Sequence, residues 1–248
     1  MSVTVTGIEG IPEVSAGDDL ARLIAEAMRA QGLTLASEDV VVVTQKAVSK
    51  SEGCFVDLET VEPSAFAIEW GKTWDRDPRH VEAVLRESKR IVRMDRGVLI
   101  AETKHGFVCA NAGVDASNVP GGLLLTLPVD PDASARRIRD GLRAETGADA
   151  AVIVSDTFGR PWRAGYTEVA IGVAGMLPIL DYVGQNDTQG RELKATWICI
   201  ADELASMAEL VTGKLNRVPA ALIRGYAYPK GEGSAREIVR EAAMDLFR

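Results

Sequence analysis

The sequence predicts an α+β chain without a regular βαβ repeat. Three observations carry that expectation. Short strands recur at both hairpin and crossover spacings, several amphipathic helices separate them, and no linker rich in Pro, Gly and Ser divides the chain. No internal repeat or low-complexity tract interrupts the pattern.

The elements follow in order. SVTVTGI reads as an alternating strand ended by Gly7 and by Gly10-Ile11-Pro12. Asp18 and Asp19 then precede Leu20, Leu23, Ile24, Ala27 and Met28, the stripe of one helical face, closed by Gly32. DVVVV is a buried strand over 40–43 that releases Thr44, Gln45, Lys46, Ser49 and Lys50 at its exit. Residues 57–75 carry Trp70 and Trp74 and show no dominant period; the two indoles are read as packing residues. Asp77-Pro78 opens a helix with Val81, Val84, Leu85 and Ile91 on its apolar face. GVLIAETKHGFVCANAG reads as a hairpin turning near Lys104-His105-Gly106, and a helix over 132–145 stops before Gly147. The apolar run 150–154 is a strand that delivers SDTFGRPWR at its exit. A strand over 195–200, an amphipathic helix in ADELASMAELVTG and a strand in PAALIRG follow. Ser234, with Glu237 three residues on, starts a last helix through a capping box.

Composition narrows the function classes. The 248 residues hold 28 Lys and Arg against 36 Asp and Glu, a net charge of −8, which repels nucleic acid and anionic membranes at long range. Neither partner is expected, and a phosphorylated ligand would need local cations. The cysteines Cys54, Cys109 and Cys199 are far apart and form no CxxC pair, which fits a reducing cytoplasm. MSVTVTGIEG has no basic start and no apolar run, so no signal peptide is expected, and no stretch is apolar enough to span a membrane. With only His80 and His105, zinc chemistry is disfavoured; a metal here would be hard and oxygen-bound.

CANAGVDASNVPGG, residues 109–122, places one carboxylate among small polar groups in a loop with little bulk. Such a loop packs poorly by itself, which points to a bound partner. Asp115 with Asn118, Thr44 and Gln45 with Lys50, and Asp156 and Thr157 with Arg160 and Arg163 form polar clusters at three strand exits. Two carboxylates and a hydroxyl suit magnesium or manganese if the fold brings them together, with phosphate oxygens completing the shell. Lys50, Arg160 and Arg163 supply cations for anionic groups. Each piece alone is as readily a turn residue or a solvated cation. Nucleotide fingerprints are missing. Gly71-Lys72-Thr73 has Phe66 where a Walker glycine belongs, Gly213-Lys214 runs into Leu215, and GxGxxG does not occur.

GIEGIPEV, VVVVTQKAVSKSEG, VLRESKRIVR, VCANAGVDASNVPGG, VIVSDTFGRPWRAG, AIGVAG, GRELKAT, ADELASMAELVTGK and VPAALIRG occur in that order. Together they resemble the coenzyme F420-0:L-glutamate ligase family. The resemblance implies a two-domain α+β ligase fold with mixed and antiparallel sheets and flanking helices, neither P-loop nor Rossmann, forming an intertwined homodimer. It implies GTP as cosubstrate, two magnesium or manganese ions per site, and potassium. The implied reaction joins L-glutamate to the lactyl carboxylate of F420-0, then to the γ-carboxyl of the growing tail, through an acyl phosphate. Some relatives carry a nitroreductase-like domain after this unit; here residues 1–248 read as the ligase unit alone.

Carried over position by position, Ile11, Pro12, Glu13 and Val14 would line the nucleotide pocket, largely through backbone. Thr44, Gln45, Lys50 and Asn118 would contact GTP, as would Thr212, Gly213, Lys214, Leu215, Asn216, Arg217 and Val218 of a later loop. Asp115 and Asp156 resemble ligands of one metal, and Thr157 of a second. Arg160 and Arg163 are candidates for holding the acidic tail or the incoming glutamate. Lys214 departs from the acidic residue that some archaeal members carry at that position. Two rival readings share these residues: a metal-dependent nucleotide phosphohydrolase, and a non-catalytic nucleotide-binding module.

Overall fold

The computed structural model describes residues 2–119 and 121–245. Its centre is a five-stranded sheet in the order β1 (Thr4–Gly7), β12 (Ala220–Arg224), β2 (Val40–Thr44), β8 (Ala151–Arg160), β9 (Arg163–Ala174). β2 and β8 run parallel and the other neighbours antiparallel. The sheet is buried on both faces, which explains its unbroken apolar runs. Val41, Val43, Val152 and Val154 pack with α1 (Leu20–Ala30) and α5 (Pro131–Thr146). Val40, Val42, Ala151 and Ile153 face α6 (Ile200–Thr212) on the other side.

The helices start where their caps dictate. Asp19 accepts from the Arg22 amide at the head of α1, and Asp130 from the Ala133 amide at the head of α5, whose first residue is Pro131. α4 (Pro78–Glu87) begins the same way, with Asp77 as cap and proline next. It ends before the sequence expectation. Ile91 lies not on this helix but in β4 (Ser88–Asp95), because Ser88 turns extended and the following residues pair with β5 (Val98–Thr103). The expected hairpin is β5 with β6 (Val108–Ala110). α3 (Ala65–Trp74) occupies the stretch without a clear period, and Trp70 stacks there on Phe66 and meets Trp74 at a tilt.

α3, α4 and β5 share a third apolar cluster with Ala112, Val114 and Leu124, separate from the two that cover the central sheet. Two two-stranded sheets complete the set: β3 (Phe55–Asp57) with β7 (Leu123–Leu125), and β10 (Ile179–Asp181) with β11 (Trp197–Cys199). The arrangement is mixed α+β with several open sheets.

Three further differences from the sequence reading bear on the site. Gln45–Ser51 is a short helix, α2, not a loop released by β2. Asp156 and Thr157 lie inside β8, paired with Val169 and Glu168 of β9, not at a strand exit. The capping box at Ser234 exists, but it opens a 3-10 turn over Ala235–Ile238 in place of a longer helix.

Candidate active site

β2 ends at Thr44, whose partner on β8 is Ser155, while β8 runs on to Arg160 with only β9 beside it. The vacated edge is a cleft of about 900 Å³, within the usual range for small-molecule sites. Successive residues of β8 point to opposite faces. Asp156 therefore turns toward the side of α1, α2 and α5, and Thr157 toward α6. A register shift between Val154 and Ser155, opposite Gly172 and Ala170, falls immediately before this pair.

The floor comes from the stretch after β1. Ile11 and Val14 bury their side chains in the core, so these residues offer mainly backbone to the cleft, with Pro12 beside them. Glu13 reaches out to pair with Lys50, whose side chain is only 11% exposed. Thr44 stands at the head of α2, and its hydroxyl does not cap that helix. Gln45 is pinned by Ser49 Oγ at 2.6 Å and by the Thr126 carbonyl at 3.1 Å.

Asp115 is fixed from the other side. Its amide and carbonyl both bond to Leu125, tying the loop to β7. Asn111 and Ala112 have φ of 52° and 51°, a left-handed conformation that side-chain-bearing residues seldom adopt. Ala112 and Val114 are buried, so the loop is packed at its root, contrary to the expectation from its small residues. The Asp115 carboxylate accepts the Ser117 amide at 2.7 Å and pairs with Lys46 Nζ at 2.7 Å. Burial raises its pKa, but the Lys46 and Ser117 bonds outweigh this and hold it below the usual value.

Asp156 is in the opposite condition. Its Oδ1 accepts the Thr157 amide at 2.8 Å, and among the described residues it forms no ion pair. Burial pushes its pKa up to about 7, and the carboxylates of Glu168 and Asp115 push the same way. Across the strand pair, the Thr157 hydroxyl donates to Glu168 Oε1. Lys214 Nζ bonds both Thr157 Oγ1 and, at 3.0 Å, Glu168 Oε1, and lies 3.8 Å from Glu209. Glu168 is 4% exposed, and its second oxygen is buried without a hydrogen-bond partner among the described residues.

The predicted residues thus divide. Ile11, Pro12, Glu13, Val14, Thr44, Gln45, Lys50, Asn118, Asp156, Thr157, Gly213, Lys214, Leu215, Arg217 and Val218 line one cleft. Asp115 borders it through Lys46, a lining residue. Thr212 is buried at the end of α6, Asn216 is exposed, and neither lines the cleft. Arg160 and Arg163 stand at the exposed tip of the β8–β9 hairpin, also outside the lining. Sequence reasoning missed Glu168 and did not single out Lys46 as a site residue. The available signal for Glu168 was a lone acid heading the apolar run VAIGVA.

A family model described as F420-0:Gamma-glutamyl ligase matches residues 9–225, which include the whole cleft. The chain belongs to the F420-0:gamma-glutamyl ligase family. It is therefore an enzyme of the ligase class. It is 45% identical to the protein named coenzyme F420:L-glutamate ligase of Methanothermobacter thermautotrophicus, with both chains covered in full. Proteins of the same name from Methanopyrus kandleri and Methanocaldococcus jannaschii are 44% and 43% identical, covering 97% and 99% of this chain and 97% of each relative. Among the described residues no helix is long and apolar enough to cross a membrane.

The donor set of this ligase fits a hard divalent cation. Among the described residues no three His, Cys, Asp or Glu side chains gather as a ready-made metal group. Magnesium, however, is commonly held by one or two carboxylates with phosphate oxygens and water supplying the rest. One oxygen of Glu168 has no hydrogen-bond partner, and the charge-disfavoured carboxyl of Asp156 has no ion pair among the described residues to bring it positive charge. A cation beside Asp156 and Asp115 would supply it.

Proposed function

We propose that the cleft binds GTP with magnesium or manganese, and that the chain ligates L-glutamate to the lactyl carboxylate of F420-0. The observation that supports this is the meeting, in one cleft, of Lys46, Lys50, Lys214 and Arg217 with the carboxylates of Asp156 and Glu168. A triphosphate needs both kinds of group: ammonium and guanidinium for its oxygens, and oxygen ligands for the divalent ion that accompanies it.

In the reaction, a carboxylate oxygen of F420-0 attacks the γ-phosphorus, the bond to the bridging oxygen breaks, and GDP leaves. The glutamate amine then attacks the acyl carbon, the acyl–oxygen bond breaks, phosphate departs, and one proton is lost from nitrogen to solvent. A divalent ion held by Asp115 and Asp156 would neutralise charge on the β- and γ-phosphate oxygens. Lys46, released from Asp115, and Lys50, released from Glu13, steady the phosphates. Arg160 and Arg163 carry positive charge on the hairpin beyond Asp156, where an acidic tail or glutamate would approach.

The separate third apolar cluster supports a two-part chain. An apolar pocket of about 530 Å³ between α3, α4 and β4, bordered by the exposed Phe66 and Met94, supports a second copy as its cover, and hence a homodimer. Mass spectrometry of the product from F420-0, L-glutamate, GTP and manganese tests the main reading. A product heavier by one or more glutamates is expected, with phosphate release dependent on both acceptors. Phosphate released without them, and no adduct, would favour the hydrolase.

A further inference from the structure

We infer that Lys214 is a built-in cation of this site, its ammonium standing where a second divalent ion would otherwise sit, so that the cleft takes one divalent ion per chain. This rests on the reading of the cleft as a cation site. Around β8 two oxygen seats are separated by the alternation of the strand: Asp156 with Asp115 on the α2 side, Thr157 with Glu168 and Glu209 on the α6 side. Each seat already holds a lysine, but the two lysines are held differently.

The Asp115 side chain is 40% exposed and has the Ser117 amide and hydroxyl as alternative partners. Water and Ser117 can replace Lys46 there, so Asp115 yields readily to an incoming ion. Glu168 has a side chain only 6% exposed, and its other oxygen has no partner. Removing Lys214 would strand a buried carboxylate with a single hydroxyl donor, which is strongly unfavourable. Lys214 therefore stays. It follows the α6 cap Gly213, whose φ is 55°; a Cβ there would lie 2.7 Å from the Asn216 amide nitrogen, so the loop that aims the lysine is tightly turned.

With a nucleotide bound, the Lys214 ammonium, which lines the cleft, would meet phosphate oxygens directly in place of a metal.

The test is a titration of the nucleotide-free protein with Mn2+, reading free Mn2+ by electron paramagnetic resonance. Wild type is expected to bind one Mn2+ per chain, Lys214→Gln two, and Lys214→Arg one. Two ions on the wild-type chain overturn the proposal without any variant, and so does a Lys214→Gln chain that gains none. No bound Mn2+ on the wild type would instead remove the cation reading of the cleft itself, and the proposal with it. Arginine keeps a cation and glutamine a hydrogen-bond donor beside Glu168, so the variants are expected to fold, Lys214→Gln with reduced stability; thermal unfolding in chelator verifies it.

Discussion

Asp156→Asn should stabilise the metal-free protein at neutral and alkaline pH while abolishing ligation. Asp156 is raised from 3.8 to about 7 in the folded chain, chiefly by burial. Between those values the native state binds more protons than the unfolded state. Stability is therefore lost as pH rises through that window, and the full penalty applies above about pH 7. At 1.36 kcal/mol per pKa unit the upper bound is about 4 kcal/mol. Asp156 retains partial solvent contact, so about 2 kcal/mol is expected. Asparagine keeps the oxygen that accepts the Thr157 amide, so little is lost in exchange. For a chain of this size that corresponds to a rise in Tm of about 4–8 °C. Calorimetry in chelator at pH 8 and at steps down to pH 4 measures it. The gap between variant and wild type should shrink steadily on acidification and vanish near pH 4, where the native acid is protonated. Manganese at pH 8 should raise the Tm of the wild type and not of the variant. A variant no more stable than wild type at pH 8, or a gap independent of pH, would refute the account of Asp156 as an uncompensated buried carboxylate.

Three further outcomes follow from the same geometry. Asp115→Asn should lower GTP-dependent ligation at limiting manganese by at least about 100-fold with only a small loss of Tm, because the amide forfeits the partly exposed Lys46 pair while the ion loses an anionic ligand. Steady-state assay of the purified variant measures it. Arg224→Met should cost about 3 kcal/mol in urea unfolding, because Asp39, 1% exposed, loses the guanidinium that grips both its oxygens at 2.9 and 2.6 Å. Gly172→Ala should cost about 3 kcal/mol or more by the same measurement, since its Cβ would fall 2.2 Å from the Pro131 carbonyl oxygen.

Much of the central sheet was legible because its strands are continuous apolar runs and its helices are long enough to show a face. The stripe from Leu20 to Met28 and the one from Leu204 to Val211 each cover two turns, enough for the period to declare itself. α2 was not legible. Its seven residues hold only Ala47 and Val48 as apolar anchors, and its helical form depends on packing against β2 and the core. Ile91 misled for a related reason. It lies seven residues beyond Val84 and so fits a helical stripe, whereas hydrogen bonding to β5 draws it into a strand. The long β9 went unseen because TEVAIGVA opens with polar residues and carries Gly172 inside. Losing β9 concealed Glu168 as well, since only the register with β8 sets that acid against Thr157. The cleft residues were reachable chiefly through resemblance; the charge pattern alone left Asp115 and Asp156 as turn residues or ligands with equal right.

The register that makes the site also makes it dependent on a distant helix. Because side chains alternate along β8, a slip of one residue against β9 would exchange the faces of Asp156 and Thr157 and part Thr157 from Glu168. The shift between Val154 and Ser155 is the feature that sets their aim, and on β9 it spans Ile171, with Gly172 at its edge. Two contacts from α5 hold it there. Asp132 Oδ1 accepts the Val173 amide at 2.9 Å, and the start of the helix presses so closely on Gly172 that no side chain fits. Asp132 also accepts the Ser234 hydroxyl and the Ala235 amide, so one buried carboxylate ties α5, the bulge and the late 3-10 turn together. The capping box read from the sequence at Ser234 thus belongs to the clamp that fixes the bulge, and through it the orientation of Asp156 and Thr157 in the cleft.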